Sequence, residues 1–343
     1  MTRCSIDMFQ SVAIGELRHV WATTTLCPVK NTTDGTLLQT TLKSSVTFDG
    51  VGLHTGARAR AVVHPAPAGH GIVFRRTDVA RSAATLPARW DRVQVMPLNT
   101  RLVNDAGTSI STIEHLMAAL AGCGIHNALV TIDGPEVPIM DGSAAPFVRG
   151  FLNAGLFRQA VPLRAIEVLR DVTVAEGDAF ARLSPATTLQ IAFDISFADA
   201  AIGDQTKVLN MANGAFVREL CDSRTFCRAA DVDAMHARGL ALGGTMQNAV
   251  VVDGDKVLNP EGLRHTDEAV RHKMLDALGD LYTAGAPMLG RYTGHKSGHN
   301  LTNRLLHALF ADPANWRWIT CEPAVAARLP GTGVSHADLG AVA

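Results

Sequence analysis

The stretch "VRHKMLDALGD", Val270–Asp280, places a histidine, then an aspartate four residues on, then a second aspartate four further. At 3.6 residues per turn, His272, Asp276 and Asp280 fall along one stripe of a helix. Val270, Met274, Ala277 and Leu278 fall roughly opposite and read as the buried stripe. The polar stripe is either solvated surface or one side of a metal site. A histidine and a carboxylate at i and i+4 can both reach one zinc ion from the same helix face.

The surrounding chain mixes strands with a few helices. "TLKSSVTFDGVGLHTGARARAVVHPAP" alternates like a hairpin, with Asp49-Gly50 marking the turn. "GTSISTIEHLMAALAGCG" reads as a helix, with Ser111 and Glu114 in a capping-box pattern and Gly122 or Gly124 as the stop. "NALVTIDG" reads as a strand, and "SAAPFVRGFLNAG" as a helix ending at Gly155. The polar, proline-bearing "RQAVPLRA" is the candidate linker, and beyond it strands return at "AIEVLRDVTVAEG" and "ARLSPATTLQIAFDIS". Without strict βαβ alternation, this pattern favours α+β layers over a doubly wound sheet.

With 343 residues, two domains are expected. We place a leader at 1–36, a first α+β domain at 37–160 and a second at 165–330. Hydrophobic content is 47% and the formal net charge is −1, so no general electrostatic attraction to nucleic acid or anionic membrane exists. Any grip on phosphate must be local. Six cysteines (Cys4, Cys27, Cys123, Cys221, Cys227, Cys321) form no CxxC pair or regular framework. That usage fits a reducing compartment and a cytoplasmic protein. No run of about 18 apolar residues is present, so no spanning helix is expected. The leader lacks an apolar core after a basic start, does not read as a secretory signal, and is read as disordered or as a start placed too far upstream.

A catalytic zinc needs a third protein ligand and an open position. His115, inside "STIEHLMAAL", is the candidate, and its neighbour Glu114 lies about 100° around the helix. A carboxylate beside a ligand but off its direction suits a base acting on water; read locally, Glu114 is better explained as the capping-box acid. "GHKSGHNLTN" offers His295, Lys296 and His299 among glycines, where His299 could donate a proton or stabilise developing negative charge. "GLALGG" (Gly239–Gly244) lacks the lysine and spacing of a phosphate loop and reads as a tight turn. "GVGLHTG" (Gly50–Gly56) permits close backbone approach but names no ligand.

Taken in order, "GVGLHTG", "RRTD", "ISTIEHLMAALAG", "PIMDGSAAPFV", "LGG", "VLNPEGLRHTDEAVRHKMLDALGDL" and "KSGH" are specific as a series. The series resembles the zinc-dependent UDP-3-O-acyl-N-acetylglucosamine deacetylases, which commit Gram-negative bacteria to lipid A synthesis, over roughly Leu38 to Leu329. The resemblance implies two similar α+β domains, each layering helices on a β-sheet and each carrying an inserted element. It implies one zinc per chain held by His115, His272 and Asp276. Glu114 matches the general base, His299 the general acid, and Asp280 the carboxylate that orients it. Lys273 and Thr225 match groups near the amide oxygen, Phe226 and Lys296 match positions around the sugar and nucleotide diphosphate, and His54 matches a residue near the site. The second insert, about 225–251, would form a passage for the substrate's acyl chain, lined by Ala229, Val232, Ala241, Met246 and Val251. The partner implied is a UDP-linked acylated amino sugar, with the protein a monomer.

Three segments depart from the family pattern. "TFCR" (Thr225–Arg228) stands where members usually read "TFGF", "GIHN" carries His126 where an aspartate is usual, and "FADAAIG" replaces a more typical "HPAIG". Arg228 at the mouth of an apolar passage is costly unless its head reaches water or phosphate. The rival readings are an amidohydrolase of the same fold acting on another acylated amino sugar, and a silent paralogue with a binding role. Retention of Glu114, His115, His272, Asp276 and His299 together argues against the silent copy.

Overall fold

A computed structural model describes residues 38–342; the leader expected at 1–36 lies outside the described residues. The first-half hairpin is formed by Val46–Val51 and Arg58–Pro65, paired antiparallel. Along the second strand Ala59, Ala61 and Val63 point inward, as period-two alternation requires. Ala128–Ile132, Ile72–Arg76 and Thr85–Pro87 complete a five-stranded sheet.

The turn is not at Asp49-Gly50, which pair within the strand opposite Arg60 and Ala59. It lies between Gly52 and Ala57, closed by Gly52 N–H to Ala57 O at 2.9 Å, with Gly56 at φ +65°. A buried carboxylate moves it there. Glu136 accepts from the backbone N–H groups of His54 and Thr55 and from the Thr55 and Thr112 hydroxyls, all at 2.7–2.8 Å. Four donors on one carboxylate outweigh the local turn preference of an Asp-Gly pair.

Six α-helices matter to the site and its packing: α1 (Glu114–Gly122), α2 (Ala145–Ala154), α3 (Ala215–Glu219), α4 (Ala229–Ala237), α5 (Glu268–Tyr282) and α6 (His299–Ala311). A seven-stranded sheet forms the other large layer. Its middle strand, Met288–His295, runs parallel to Arg164–Val168 and Leu189–Ser196 and antiparallel to Ala179–Ser184. Val172–Glu176, Asp204–Asn210 and Trp316–Thr320 complete it. Helix α2 lies on the first sheet, α5 and α6 lie on the second, and α1 packs between α2 and α5. The α+β layering expected from the sequence is present.

All nine residues of α1 are buried. The capping box is absent, because Ser111 bridges to Glu136 outside the helix and Ile113 is the N-cap, which makes Glu114 the first helical residue. Gly124, at φ +66°, does end the helix, with its N–H on Ala121 O. Helices α1 and α5 meet where α5 has no side chain. A Cβ on Gly279 would stand 2.0 Å from the Glu114 carbonyl oxygen.

The "RQAVPLRA" segment is not a free linker. Leu156–Pro162 pairs antiparallel with Leu38–Leu42, and Arg164–Val168 enters the second sheet directly. Gln159 is buried and donates to Ala66 O while accepting from Asn127. Two small three-stranded sheets flank the site: Val93–Gln94 with Arg101–Val103 and Ser109–Ile110, and Phe226–Arg228 with Val250–Asp253 and Lys256–Val257.

The turn before Phe226–Arg228 is locked to α5 by a buried ion pair. Arg224 and Glu268 are 2% and 1% exposed, and Arg224 Nε and backbone N both donate to Glu268 Oε1 at 2.9 Å. Losing Glu268 leaves the buried guanidinium with Glu261 alone, at 2.7 Å, and strips the partner from its Nε and backbone N–H. Glu268→Ala is expected to cost about 3–5 kcal/mol, checked by denaturant unfolding against Arg224→Met/Glu268→Met, which removes both charges and should cost less.

Candidate active site

Both stripes of α5 are buried, so the polar one is not solvated surface. His272, Asp276 and Asp280 are 2%, 5% and 1% exposed. They face the N-terminus of α1, which carries Glu114 and His115, and the N-terminus of α6, which begins at His299. Segments about 160 residues apart in the chain converge on one point.

His115, His272 and Asp276 form the one group among the described residues whose donor atoms could hold a metal ion together. The two imidazole Nε2 atoms lie 3.5 and 3.2 Å from the same oxygen, Asp276 Oδ1. Ligands about 2 Å from a tetrahedral ion sit about 3.3 Å apart, so the spacing fits. The protonation pattern fits too. His272 Nδ1 lies 3.0 Å from Ser223 O, and a carbonyl can only accept, so the proton is on Nδ1. The Nε2 lone pair then points at a buried carboxylate oxygen that receives no hydrogen bond. A cation held between the imidazole nitrogens and this oxygen satisfies all of them in a dry site. Burial alone would raise the Asp276 carboxyl, but His272, His115 and His299 around it hold it well below the usual carboxylate range.

His299 stands beside this group. Its Nδ1 is 2.8 Å from Asp280 Oδ2, which leaves Nε2 3.9 Å from Glu114 Oε1 and 3.8 Å from Asp276 Oδ2. Burial disfavours the imidazolium, but the Asp280 and Glu114 carboxylates outweigh it and raise the pKa to about 9. Glu114 is pushed up to about 8, chiefly by burial. Its Oε2 accepts from the Thr100 backbone N–H at 3.0 Å. Lys273 Nζ lies 3.8 Å from Asp276 Oδ2.

A cavity of about 580 Å³ opens onto these groups. His272, Lys273, Asp276, His299, Thr225, Phe226 and Lys296 are among the residues that line it. Lys296 holds a left-handed backbone at φ +48° and pairs with Asp178 at 2.7 Å. A strained non-glycine residue here is held by its own N–H on Asp194 O. Four cations, Lys273, Lys296, Arg228 and Arg238, share the wall with Asp231 and Asp276.

His54 is buried but lies outside the cavity wall. Its Nδ1 accepts from Ala241 N–H at 3.4 Å, its Nε2 has no partner, and burial lowers its pKa. The "GLALGG" turn packs on "GVGLHTG" through Leu242 N–H to His54 O and Gly243 N–H to Leu53 O. The close approach those glycines permit is to each other.

The five residues expected along an acyl passage do not line this cavity. Helix α4 turns Asp231, Ala234, Met235 and Arg238 toward it, with Ile195, Phe197, Pro97 and Leu98 adding wall. Ala229 and Val232 therefore sit off that face. Ala241 holds φ +57° in the turn against His54, and Met246 gives its carbonyl to Asn259. Val251 stands in the middle strand of its small sheet, opposite Cys227.

Two departures from the family pattern meet here. Arg228 Nε donates to Asp199 of "FADAAIG", whose other oxygen accepts from Gly254 N–H at 3.2 Å. The guanidinium at the cavity wall is thus paired within the protein. The third departure is structural: His126 Nδ1 accepts from Thr40 N–H at 3.0 Å, and burial lowers its pKa to about 4, so it is neutral.

The sequence reading missed Thr100, Asn303 and Ser223. All three are buried and act through groups distant in sequence, and no local spacing marks them.

The family model described as LpxC, UDP-3-O-acyl N-acetylglycosamine deacetylase, matches residues 39–311. A Phenylobacterium zucineum (strain HLK1) protein named UDP-3-O-acyl-N-acetylglucosamine deacetylase is 52% identical over 281 residues, 82% of this chain and 96% of the relative. A protein of the same name from Shewanella sp. (strain W3-18-1) is 46% identical over 288 residues, 83% of this chain and 94% of the relative. Shewanella baltica (strain OS155 / ATCC BAA-1091) has another at 46% over 288 residues, covering 83% and 94%. With the match running through the hairpin, α1, α5 and the whole of α6, this chain belongs to the LpxC UDP-3-O-acyl N-acetylglycosamine deacetylase family.

Proposed function

We propose that the protein hydrolyses the N-acetyl amide of a UDP-3-O-acyl-N-acetylglucosamine, giving acetate and the free 2-amino sugar nucleotide, the committed step of lipid A biosynthesis. The observation that carries the reading is the placing of Glu114 Oε1 and His299 Nε2, 3.9 Å apart, beside the His115–His272–Asp276 group at the wall of a cavity. Those three residues would hold one zinc. Bound there, the ion supplies a Lewis acid, polarising the amide carbonyl, acidifying the attacking water and drawing the Glu114 carboxyl back down.

Glu114 takes the proton from water as the oxygen attacks the acetyl carbon. Thr225 and Lys273, on the wall next to Asp276, face the developing oxyanion. The amide C–N bond breaks only if nitrogen leaves protonated, and His299 is the donor, kept cationic at neutral pH by Asp280. Lys296 and Arg228 meet the diphosphate side of the substrate, and Phe226 packs on the sugar. Leu98, Phe197, Ala234 and Met235 give an apolar surface for the acyl chain. Each sheet with its helices is one domain, and the site lies between them. The protein works in the cytoplasm as a monomer; the free thiols of Cys123, Cys221, Cys227 and Cys321 support a reducing compartment. Among the described residues no helix is long and apolar enough to cross a membrane.

The test is acetate release by the purified protein from UDP-3-O-acyl-N-acetylglucosamine over a series of acyl lengths. Turnover that rises with the acyl chain is expected, and absence of acetate at every length contradicts the reading.

A further inference from the structure

Thr100 is fully buried in the loop before strand Arg101–Val103, and it touches both proton-handling groups of the site. Its backbone N–H is 3.0 Å from Glu114 Oε2. Its hydroxyl is 2.5 Å from Asp280 Oδ1, while Asp280 Oδ2 lies 2.8 Å from His299 Nδ1. The direction of the hydroxyl proton follows from a third contact. Asn303 Nδ2 lies 3.1 Å from Thr100 Oγ1 and can only donate, so Oγ1 accepts there and its own proton goes to Asp280. The order of donation is Asn303 to Thr100, Thr100 to Asp280 Oδ1, and His299 to Asp280 Oδ2.

We propose that Thr100 is a positioning residue that sets Glu114 and the Asp280–His299 pair in register with each other. The reading rests on the deacetylase assignment above. Without the hydroxyl, the buried Asp280 Oδ1 has no hydrogen-bond donor among the described residues, and the carboxylate can turn so that either oxygen meets His299. The imidazole then loses the single orientation that aims Nε2 at the space beside Glu114. Without the backbone N–H, Glu114 would lose its one hydrogen bond among the described residues, but that group survives any side-chain change. The hydroxyl is therefore separable by mutation. Residues 97 and 98 of the same loop line the cavity, so the segment that shapes the substrate's wall also carries the hydroxyl.

Thr100→Val keeps shape and backbone and removes only the hydroxyl; Thr100→Ser restores the hydroxyl and removes a methyl. In Thr100→Val we expect kcat to fall about 10- to 100-fold, with KM and metal content unchanged, and Thr100→Ser to return within a few-fold of wild type. In metal-free protein, the His299 Nδ1–H proton should give a protected NMR resonance in wild type and Thr100→Ser, lost or moved in Thr100→Val. Wild-type kcat in Thr100→Val, an equal loss in Thr100→Ser, a loss explained by KM or metal content, or an unmoved imidazole resonance each overturns the proposal. Inactive wild type would instead count against the deacetylase reading, and the resonance would still report on the register.

Discussion

Glu114→Ala is expected to keep one zinc per chain and to lose about 10²- to 10⁴-fold in kcat, the usual worth of a positioned general base. The side chain is not in the His115–His272–Asp276 group, so metal content should hold. Metal analysis and acetate release on the same sample check both halves, and normal turnover would remove Glu114 from the mechanism. A stability signature accompanies the kinetic one. Burial raises the Glu114 carboxyl from 4.5 to about 8, so the folded state holds this proton more tightly than the unfolded chain. The penalty for its charge is absent below pH 4.5 and grows as pH rises to about 8. Metal-free Glu114→Gln should therefore melt above metal-free wild type at pH 8, and the two should converge near pH 4. Equal melting at both pH values would mean that the carboxyl is not held in a dry site.

Asp276→Ala is expected to lose the ion and, with it, all but background turnover. Its Oδ1 is the one oxygen both imidazoles face, at 3.2 and 3.5 Å. Losing a Lewis acid worth several kcal/mol corresponds to about 10³-fold or more in rate. Chelation of the wild type should give the same loss, reversed by added zinc, whereas Asp276→Ala should not recover at the same zinc concentration. Retention of stoichiometric zinc and activity by the variant would place the ion elsewhere.

What could be read from the chain follows from how far apart the interacting groups lie. His272, Asp276 and Asp280 were legible because helical spacing alone puts them on one stripe, although spacing could not say that the stripe is buried. Burial comes from α1, where Gly279 lets the two backbones touch. Glu114 and His115 were legible through the family pattern, while their local reading as a capping box was wrong because Ser111 is engaged by a bridge to Glu136. The same carboxylate displaced the hairpin turn from Asp49-Gly50 to Gly52–Ala57, a tertiary override of a local signal. "RQAVPLRA" looked like a linker by composition, yet its partner strand lies more than 100 residues upstream. Thr100 meets Asp280, and Asn303 meets Thr100, across separations that no periodicity reports. Of the residues expected along an acyl passage, Ala229 and Val232 lie off the face of α4 that turns Asp231, Ala234 and Met235 to the cavity, while Ala241, Met246 and Val251 lie beyond that helix. Arg228 and Asp199 each looked anomalous alone and are explained by each other.

The most direct test of the central claim is hydrolysis of UDP-3-O-acyl-N-acetylglucosamine by the zinc-loaded protein in water enriched in heavy oxygen, with both products weighed by mass spectrometry. One heavy oxygen per acetate and none in the sugar nucleotide, which loses an acetyl group and keeps its 3-O-acyl chain, is the predicted result. No acetate, or heavy oxygen carried by a fatty acid released from the 3-position instead, would contradict the account.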